Sequence, residues 1–290
     1  MGWSGSAARL PRVPGTDPPT LSPTVGRRWL AQEIRRLREA AGLKQTDVAK
    51  RLRCNPTKIT HPESVRTPVG GPDLEVLLPF LGAPAERVEW YLRVCDLARE
   101  KGWWDGDRSI PDWFSLYVGL GAGASEIRCW DTGYVTGLFQ TAAYATALLD
   151  NPGAVEARLR RQEALRRDDP LVVHAILDEA VLCRRIGGAG VMRGRLDHLG
   201  ALAGLPGITI QVMPFDAGGH RGHLGSCKWL GFPQEGDPGA VYLENQFGGW
   251  FLEKPEEVAV FQADFAASAA LAPSAEDSAA LIAERAEEVR

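Results

Sequence analysis

Residues Glu33–Thr60 read EIRRLREAAGLKQTDVAKRLRCNPTKIT, and three helix signals separated by two tight stops decide how the N-terminal part of the chain folds. Leu30, Ile34, Leu37 and Ala41 recur at helical spacing, which predicts a helix over Gly26–Ala41 with one apolar stripe and an arginine-rich outer face. Gly42 ends it, as a residue able to take the left-handed conformation past a helix C-terminus. A second, short helix over Gln45–Leu52 would bury Val48, Ala49 and Leu52. Ala49 is small, as the point of closest approach between two helices crossing at a tight turn requires. Asn55-Pro56 then starts a third helix, with Asn as cap and Pro at the first helical position. This would be the recognition helix, offering Thr57, Lys58, Thr60 and His61 to base edges or phosphates.

Charge supports that reading. The formal net charge of −4 is unequally divided, because Arg27–Arg66 holds eleven Lys/Arg against four Asp/Glu and leaves the rest of the chain at −11. A basic module on an acidic body is the asymmetry expected when one part faces phosphate and the other does not.

The quoted segment resembles the XRE (Cro/repressor-like) helix-turn-helix of a large family of actinomycete regulators. The resemblance implies that Gln45 and Thr46 anchor the DNA backbone while Thr57, Lys58 and His61 face the groove, with double-stranded DNA as partner. Three departures bear on this. Pro62 stands where the family places a buried Ile, and proline inside a helix removes a hydrogen bond and clashes with the preceding turn, so the recognition helix should end near His61. Arg53 occupies the usual turn glycine. Val65 occupies the usual capping glycine, although β-branched residues tolerate positive φ badly.

Outward from this module, residues 1–24 are proline-rich, lack a signal-peptide apolar stretch, and are expected to form a disordered leader of a cytoplasmic protein. Helices near Asp73–Leu81 and Ala85–Arg99, with Cys95 in the core, complete an all-α domain over 25–100. Residues 101–290 are expected to form a larger α+β domain with a small mixed or antiparallel sheet, making the whole chain α+β. Its strands are Leu171–Leu177, Ile208–Met213, Cys227–Phe232, Ala240–Glu244 and Trp250–Leu252, bounded by Gly and Pro turns. The last two form a hairpin. Its helices are Ala154–Arg167, with a charged face read as solvated, then Val191–Leu202, Pro255–Ala270 and Ala275–Glu288. No apolar run approaches the ~20 residues of a membrane span.

Segments such as PDWFSLYVGLGAGASEIRCWD, LDEAVLCRRIGG and VYLENQFGGWFLEKPEEV are similar to the large C-terminal domain of those same regulators, whose biochemical role is undefined. The resemblance carries no catalytic residues with it. It also suggests an antitoxin-like arrangement, with a small partner protein encoded alongside.

Several motifs bear on possible sites. His220, His223 and Cys227 lack a fourth ligand for tetrahedral zinc, so no metal is expected. The Gly119–Gly123 and Gly187–Gly190 runs lack nucleotide-cradle spacing and read as turns, and no cofactor is expected. Five scattered cysteines suggest reduced thiols. Asp178, Glu179 and Glu244 end strands and would converge at one sheet edge, as an acid–base group or as caps and salt bridges. No hydrolase, kinase or zincin motif is present, so enzymatic activity has no positive signal. Two function classes therefore stand. One is a DNA-binding transcriptional regulator, homodimeric, whose C-terminal domain senses a small molecule or a partner protein. The other is a regulator scaffold recruited as a small-molecule-binding protein or biosynthetic enzyme, with a vestigial helix-turn-helix and a pocket lined by Trp103, Trp104, Trp113, Trp130, Tyr134 and Trp250, with Asp178, Glu179 or Glu244 as polar anchors.

Overall fold

The computed structural model describes residues 22–55, 69–234 and 236–289. The chain divides into two compact units, one reaching to Asp105 and one running from Gly106 onward apart from 234–236. The boundary thus falls five residues beyond the expected position, and Trp103 and Trp104 belong to the first unit.

The first unit is all-α. Ser22 Oγ accepts the Val25 N–H at 3.2 Å and Pro23 takes the first helical position, so α1 spans Pro23–Ala40. The expected leader is corrected here: Ser22–Thr24 form the cap and first residues of this helix, because a Ser-Pro pair satisfies and pre-organises a helix N-terminus. Gly42, at φ +68°, closes the helix. Its N–H donates to Glu39 O and the Leu43 N–H to Arg38 O, each at 3.0 Å, a pair that satisfies the last free carbonyls. Helix α2 spans Gln45–Arg51 and ends the same way, with Arg53 donating to Lys50 O at 3.2 Å and Cys54 to Ala49 O at 3.0 Å. Here the left-handed residue is Arg53 at φ +51°, alone among the described non-glycine residues in having positive φ.

Helix α3 (Gly71–Phe80) and helix α4 (Val88–Arg99), the latter preceded by a 3-10 turn at Ala85–Arg87, complete the bundle. Leu30, Ile34 and Leu37 of α1, Val48 and Ala49 of α2, Leu74 and Leu78 of α3, and Tyr91, Val94 and Cys95 of α4 form one core. A buried polar link crosses it: Glu33 accepts the Tyr91 hydroxyl at 2.8 Å and two Arg36 bonds at 2.6 and 2.8 Å. Burial raises the Glu33 pKa, but the Arg36 and Tyr91 hydrogen bonds outweigh it and hold the carboxyl below the usual range.

The second unit is α+β around a six-stranded mixed sheet in the order β3-β2-β1-β4-β5-β6. Its strands are β1 (Glu126–Asp131), β2 (Val172–Asp178), β3 (Ile208–Met213), β4 (Cys227–Gly231), β5 (Ala240–Asn245) and β6 (Gly248–Leu252). Strands β1, β2 and β3 run parallel and the other pairs antiparallel. The expected β5–β6 hairpin forms, with Asn245 opposite Gly248.

Two elements depart from the sequence reading. Strand β1 is central although no strand was expected there. Asp112–Gly123, whose glycines read as turns, is a helix, α5, with Gly119 and Gly123 on its buried side. Helices α6 (Ala142–Leu148) and α7 (Pro152–Arg161) lie in the crossover from β1 to β2, and α8 (Glu179–Cys183) and α9 (Ala189–Ala203) in that from β2 to β3. On one sheet face Trp130, Ile176 and Met213 pack with Phe265 of α10 (Pro255–Leu271). At the β3 edge, Ser278 of α11 (Ala275–Glu288) accepts the Val212 N–H at 2.9 Å, occupying a donor that an open edge would expose. Among the described residues no single helix is long and apolar enough to cross a membrane. All five cysteines carry free thiols.

Candidate functional site

In the first unit, Gln45 opens α2 half-buried and Thr46 beside it is exposed. Asp47 Oδ2 accepts the Lys44 N–H at 2.9 Å and fixes the entry to the helix. Arg35 and Arg36 on α1 are held by Glu39 and Glu33, and the Arg51 guanidinium lies 5.8 Å from the Phe80 ring centroid. Lys44, Lys50 and Arg53 are exposed. Thr57, Lys58, Thr60 and His61, with Pro62 and Val65, lie outside the described residues.

The second unit contains a cavity of about 300 Å³ bounded by α5, α7 and β5, and by the loop before α5. Helix α7 builds one wall. Asn151 caps it by accepting the Ala154 N–H at 3.2 Å, and Ala154, Ala157, Arg158 and Arg161 then follow at the i, i+3, i+4, i+7 spacing of one helix face. This corrects the reading of the α7 arginines as a solvated face: Arg158 and Arg161 turn inward. Arg158 Nη1 donates to Gln140 Oε1 at 2.8 Å. The Arg161 guanidinium sits 4.7 Å from the Tyr117 centroid and 5.3 Å from that of Phe114, a cation–π placement. Burial, and next the like charge of Arg161, push the Arg158 pKa down to about 10. Opposite stands Glu244 from β5, which closes no salt bridge with either arginine among the described residues. Trp113, Phe114 and Ile110 supply the apolar surface.

Behind Phe114 the polar array continues. Tyr117 of α5 and Tyr242 of β5 stack with centroids 4.3 Å apart; both hydroxyls are buried, that of Tyr117 without a hydrogen-bond partner among the described residues and that of Tyr242 turned toward Glu244. Burial, then the charge of Glu244, raises the Tyr242 pKa well above the tyrosine range. On the same sheet face, Lys228 Nζ meets Asp131 Oδ1 at 3.2 Å, and the buried Cys129 thiol lies beside the same carboxylate. Burial opposes the Lys228 charge, but Asp131 prevails and lifts its pKa above the lysine range. Arg195 of α9 is fully buried; its Nη2 donates to Leu182 O at 3.2 Å, whereas Nε and Nη1 have no partner.

The expected pocket residues do not assemble as a set. Trp113 and Glu244 line the cavity. Trp104 is buried in the first unit, edge-on to Trp103. Trp130 is buried in the core formed with α10 and has the His220 ring 4.8 Å away. Tyr134 is half exposed, and Trp250 pairs with Leu243, on the face of β5 opposite Glu244. Asp178 caps α8 by accepting the Ala180 N–H at 2.8 Å. Glu179 accepts the Phe215 N–H at 2.9 Å and an Arg285 bond at 2.8 Å. Both carboxylates are engaged structurally, and two strands, β1 and β4, stand between β2 and Glu244's strand β5. Arg158, Arg161, Tyr117 and Tyr242 were not foreseen; the inward α7 face carries the only sequence trace, alanines interleaved with arginines at helical spacing.

Comparison with known proteins agrees with this division. A helix-turn-helix domain family matches residues 29–90, so the first unit carries a fold of the kind used by DNA-binding regulators. No curated protein and no solved structure matches the chain significantly. A second family model, described as a domain of unknown function (DUF5753), matches residues 114–284, more than half of the chain, and the chain therefore belongs to that family, with a helix-turn-helix domain preceding it.

Proposed function

We propose that this chain is a cytoplasmic transcriptional regulator that binds double-stranded DNA as a homodimer through its first unit, and that its second unit senses a small molecule or a partner protein. The observation that carries the reading is the α1–turn–α2 pair. Its helices close on Ala49, both carry hydrogen-bonded C-terminal stops, and it leaves Lys44, Lys50 and Arg53 exposed around the α2 segment. Those cations supply the salt-dependent attraction to phosphate on which helix-turn-helix binding rests. Dimerisation follows from operator geometry, since two recognition helices enter successive major grooves roughly 34 Å apart. A small protein encoded alongside, in an antitoxin-like arrangement of the XRE type, is the partner suggested by family resemblance.

The competing reading, a vestigial DNA module on a ligand-binding scaffold, draws on Arg53, which holds the left-handed position of the turn without being glycine. A mobility-shift assay on the DNA upstream of the chain's own coding region, at several salt concentrations, separates the two. The regulator reading expects a discrete retarded species that survives moderate salt. Sequence-independent binding that vanishes by moderate salt favours the vestigial module.

A further inference from the structure

We propose that the cavity between α5, α7 and β5 binds a small zwitterion of amino-acid size, its carboxylate held by Arg158 and Arg161, its ammonium by Glu244, and its apolar body against Trp113, Phe114 and Ile110. The proposal rests on the sensor reading of the second unit, and it is tested without DNA so that the two can fail separately.

Three observations converge on this class of ligand. The first is the charge arrangement: two guanidinium groups and one carboxylate line the same small space, and among the described residues no ion pair joins them. Glu244 is exposed at the rim and near enough to Arg158 to favour its charge, yet the two form no ion pair, which leaves room for a ligand that bridges them. A simple anion would satisfy the arginines but face Glu244; a simple cation would meet two like charges.

The second is unused hydrogen-bonding capacity. Arg161 is held by aromatic faces, at 4.7 and 5.3 Å from two ring centroids, which leaves its five N–H donors for a planar carboxylate. Arg158 gives one bond to Gln140, and its depressed pKa reflects, after burial, repulsion from Arg161, which an anion between the two would relieve. Among the described residues the buried Tyr117 hydroxyl behind Phe114 also lacks a partner, although native interiors leave few such groups unsatisfied.

The third is size and shape. A volume of about 300 Å³ is at the lower end of small-molecule sites, and an indole, a benzene ring and an isoleucine side chain form the apolar wall. That suits one compact hydrophobic side chain.

The test is isothermal titration calorimetry of the full chain at neutral pH with L-phenylalanine and L-leucine as zwitterions. 3-Phenylpropanoate, which lacks the ammonium, and 2-phenylethylamine, which lacks the carboxylate, serve as half-ligands. At least one amino acid should bind saturably, with both half-ligands at least tenfold weaker. Arg161→Gln and Glu244→Gln should each weaken amino-acid binding at least tenfold. Glu244→Gln should strengthen phenylpropanoate binding, by removing the like charge it faces, and Arg161→Lys should retain part of the amino-acid affinity with an unchanged circular-dichroism spectrum. Equal binding of phenylpropanoate and phenylalanine, or an amino-acid affinity indifferent to Glu244→Gln, would reduce the site to an anion pocket and overturn the zwitterion assignment. Absence of saturable heat with both amino acids overturns it as well. Regulation is read separately, by repeating the DNA titration with the amino acid present.

Discussion

Tyr91→Phe removes one hydroxyl from the core of the first unit, and its cost can be worked from the geometry. The hydroxyl donates to Glu33 at 2.8 Å across 58 residues of sequence, tying α4 to α1. The carboxylate is buried, at 7% side-chain exposure, and its remaining partner Arg36 is half exposed at 46%. A hydrogen bond to a buried charged acceptor contributes about 1.5–3 kcal/mol, and little of that is lost to solvent screening at this depth. At about 1.4 kcal/mol per tenfold, amide exchange governed by opening of the first unit should accelerate roughly ten- to hundredfold. Hydrogen-exchange mass spectrometry of peptides within Pro23–Ala40 and Val88–Arg99 reads this directly, with peptides of β2 as internal control.

The effect should also depend on pH. The folded Glu33 pKa lies below its ordinary value of 4.5, so the stabilisation is fully present above that value and is lost as pH falls through the folded pKa. The penalty of Tyr91→Phe should therefore shrink toward pH 3. In a Glu33→Gln background Tyr91→Phe should cost less, with a coupling of about 1 kcal/mol or more. Less than threefold acceleration at pH 7, or additive behaviour of the two substitutions, would refute the view that this link clamps the bundle.

Two further substitutions probe strain and a buried charge. Arg53→Gly relieves a left-handed non-glycine residue at φ +51°, a conformation costing roughly 1–2 kcal/mol, against an entropic cost for Gly of roughly 0.5–1 kcal/mol. The first unit should gain up to about 1 kcal/mol by hydrogen exchange, and Arg53→Val should lose stability. Arg195 is fully buried, with its guanidinium 5.2 Å from the Tyr144 ring centroid, one bond to Leu182 O, and Nε and Nη1 without a hydrogen bond among the described residues, so Arg195→Met should change the urea midpoint of the second unit by no more than roughly 1 kcal/mol in either direction. A loss of more than about 1 kcal/mol would mean that the Tyr144 and Leu182 contacts outweigh the cost of burying the charge.

The elements read correctly from sequence are those whose local signals agree with their environment. Gly42 takes the positive φ its position demands, and Ile208–Met213 is a strand with the residues expected of it. The misreadings come from tertiary compensation. Strand β1 (EIRCWD) carries charge at three of its six positions, which argues against a central strand. Yet Arg128 is held by Glu126 at 2.7 Å, and Asp131 by Lys228 at 3.2 Å from the neighbouring strand. Helix α5 reads as a glycine turn because its buried side uses Gly119 and Gly123, where a strong helix former would be expected. Most of the cavity is not legible along the chain, for a third reason. Arg158 and Arg161 look like surface residues along the chain, and only the packing of α7 brings them to face Glu244 from β5, more than 80 residues away.

The central claim, that the first unit reads DNA, is tested most directly by fluorescence-anisotropy titration of the full chain. The probes are a duplex from its own upstream region and a scrambled duplex of equal length and composition, across a salt series. The account predicts saturation at two chains per operator and affinity at least a thousandfold tighter for the upstream duplex. It also predicts a log–log salt dependence steep enough to report several phosphate contacts. Equal affinity for the two duplexes, or no binding at physiological salt, would contradict it.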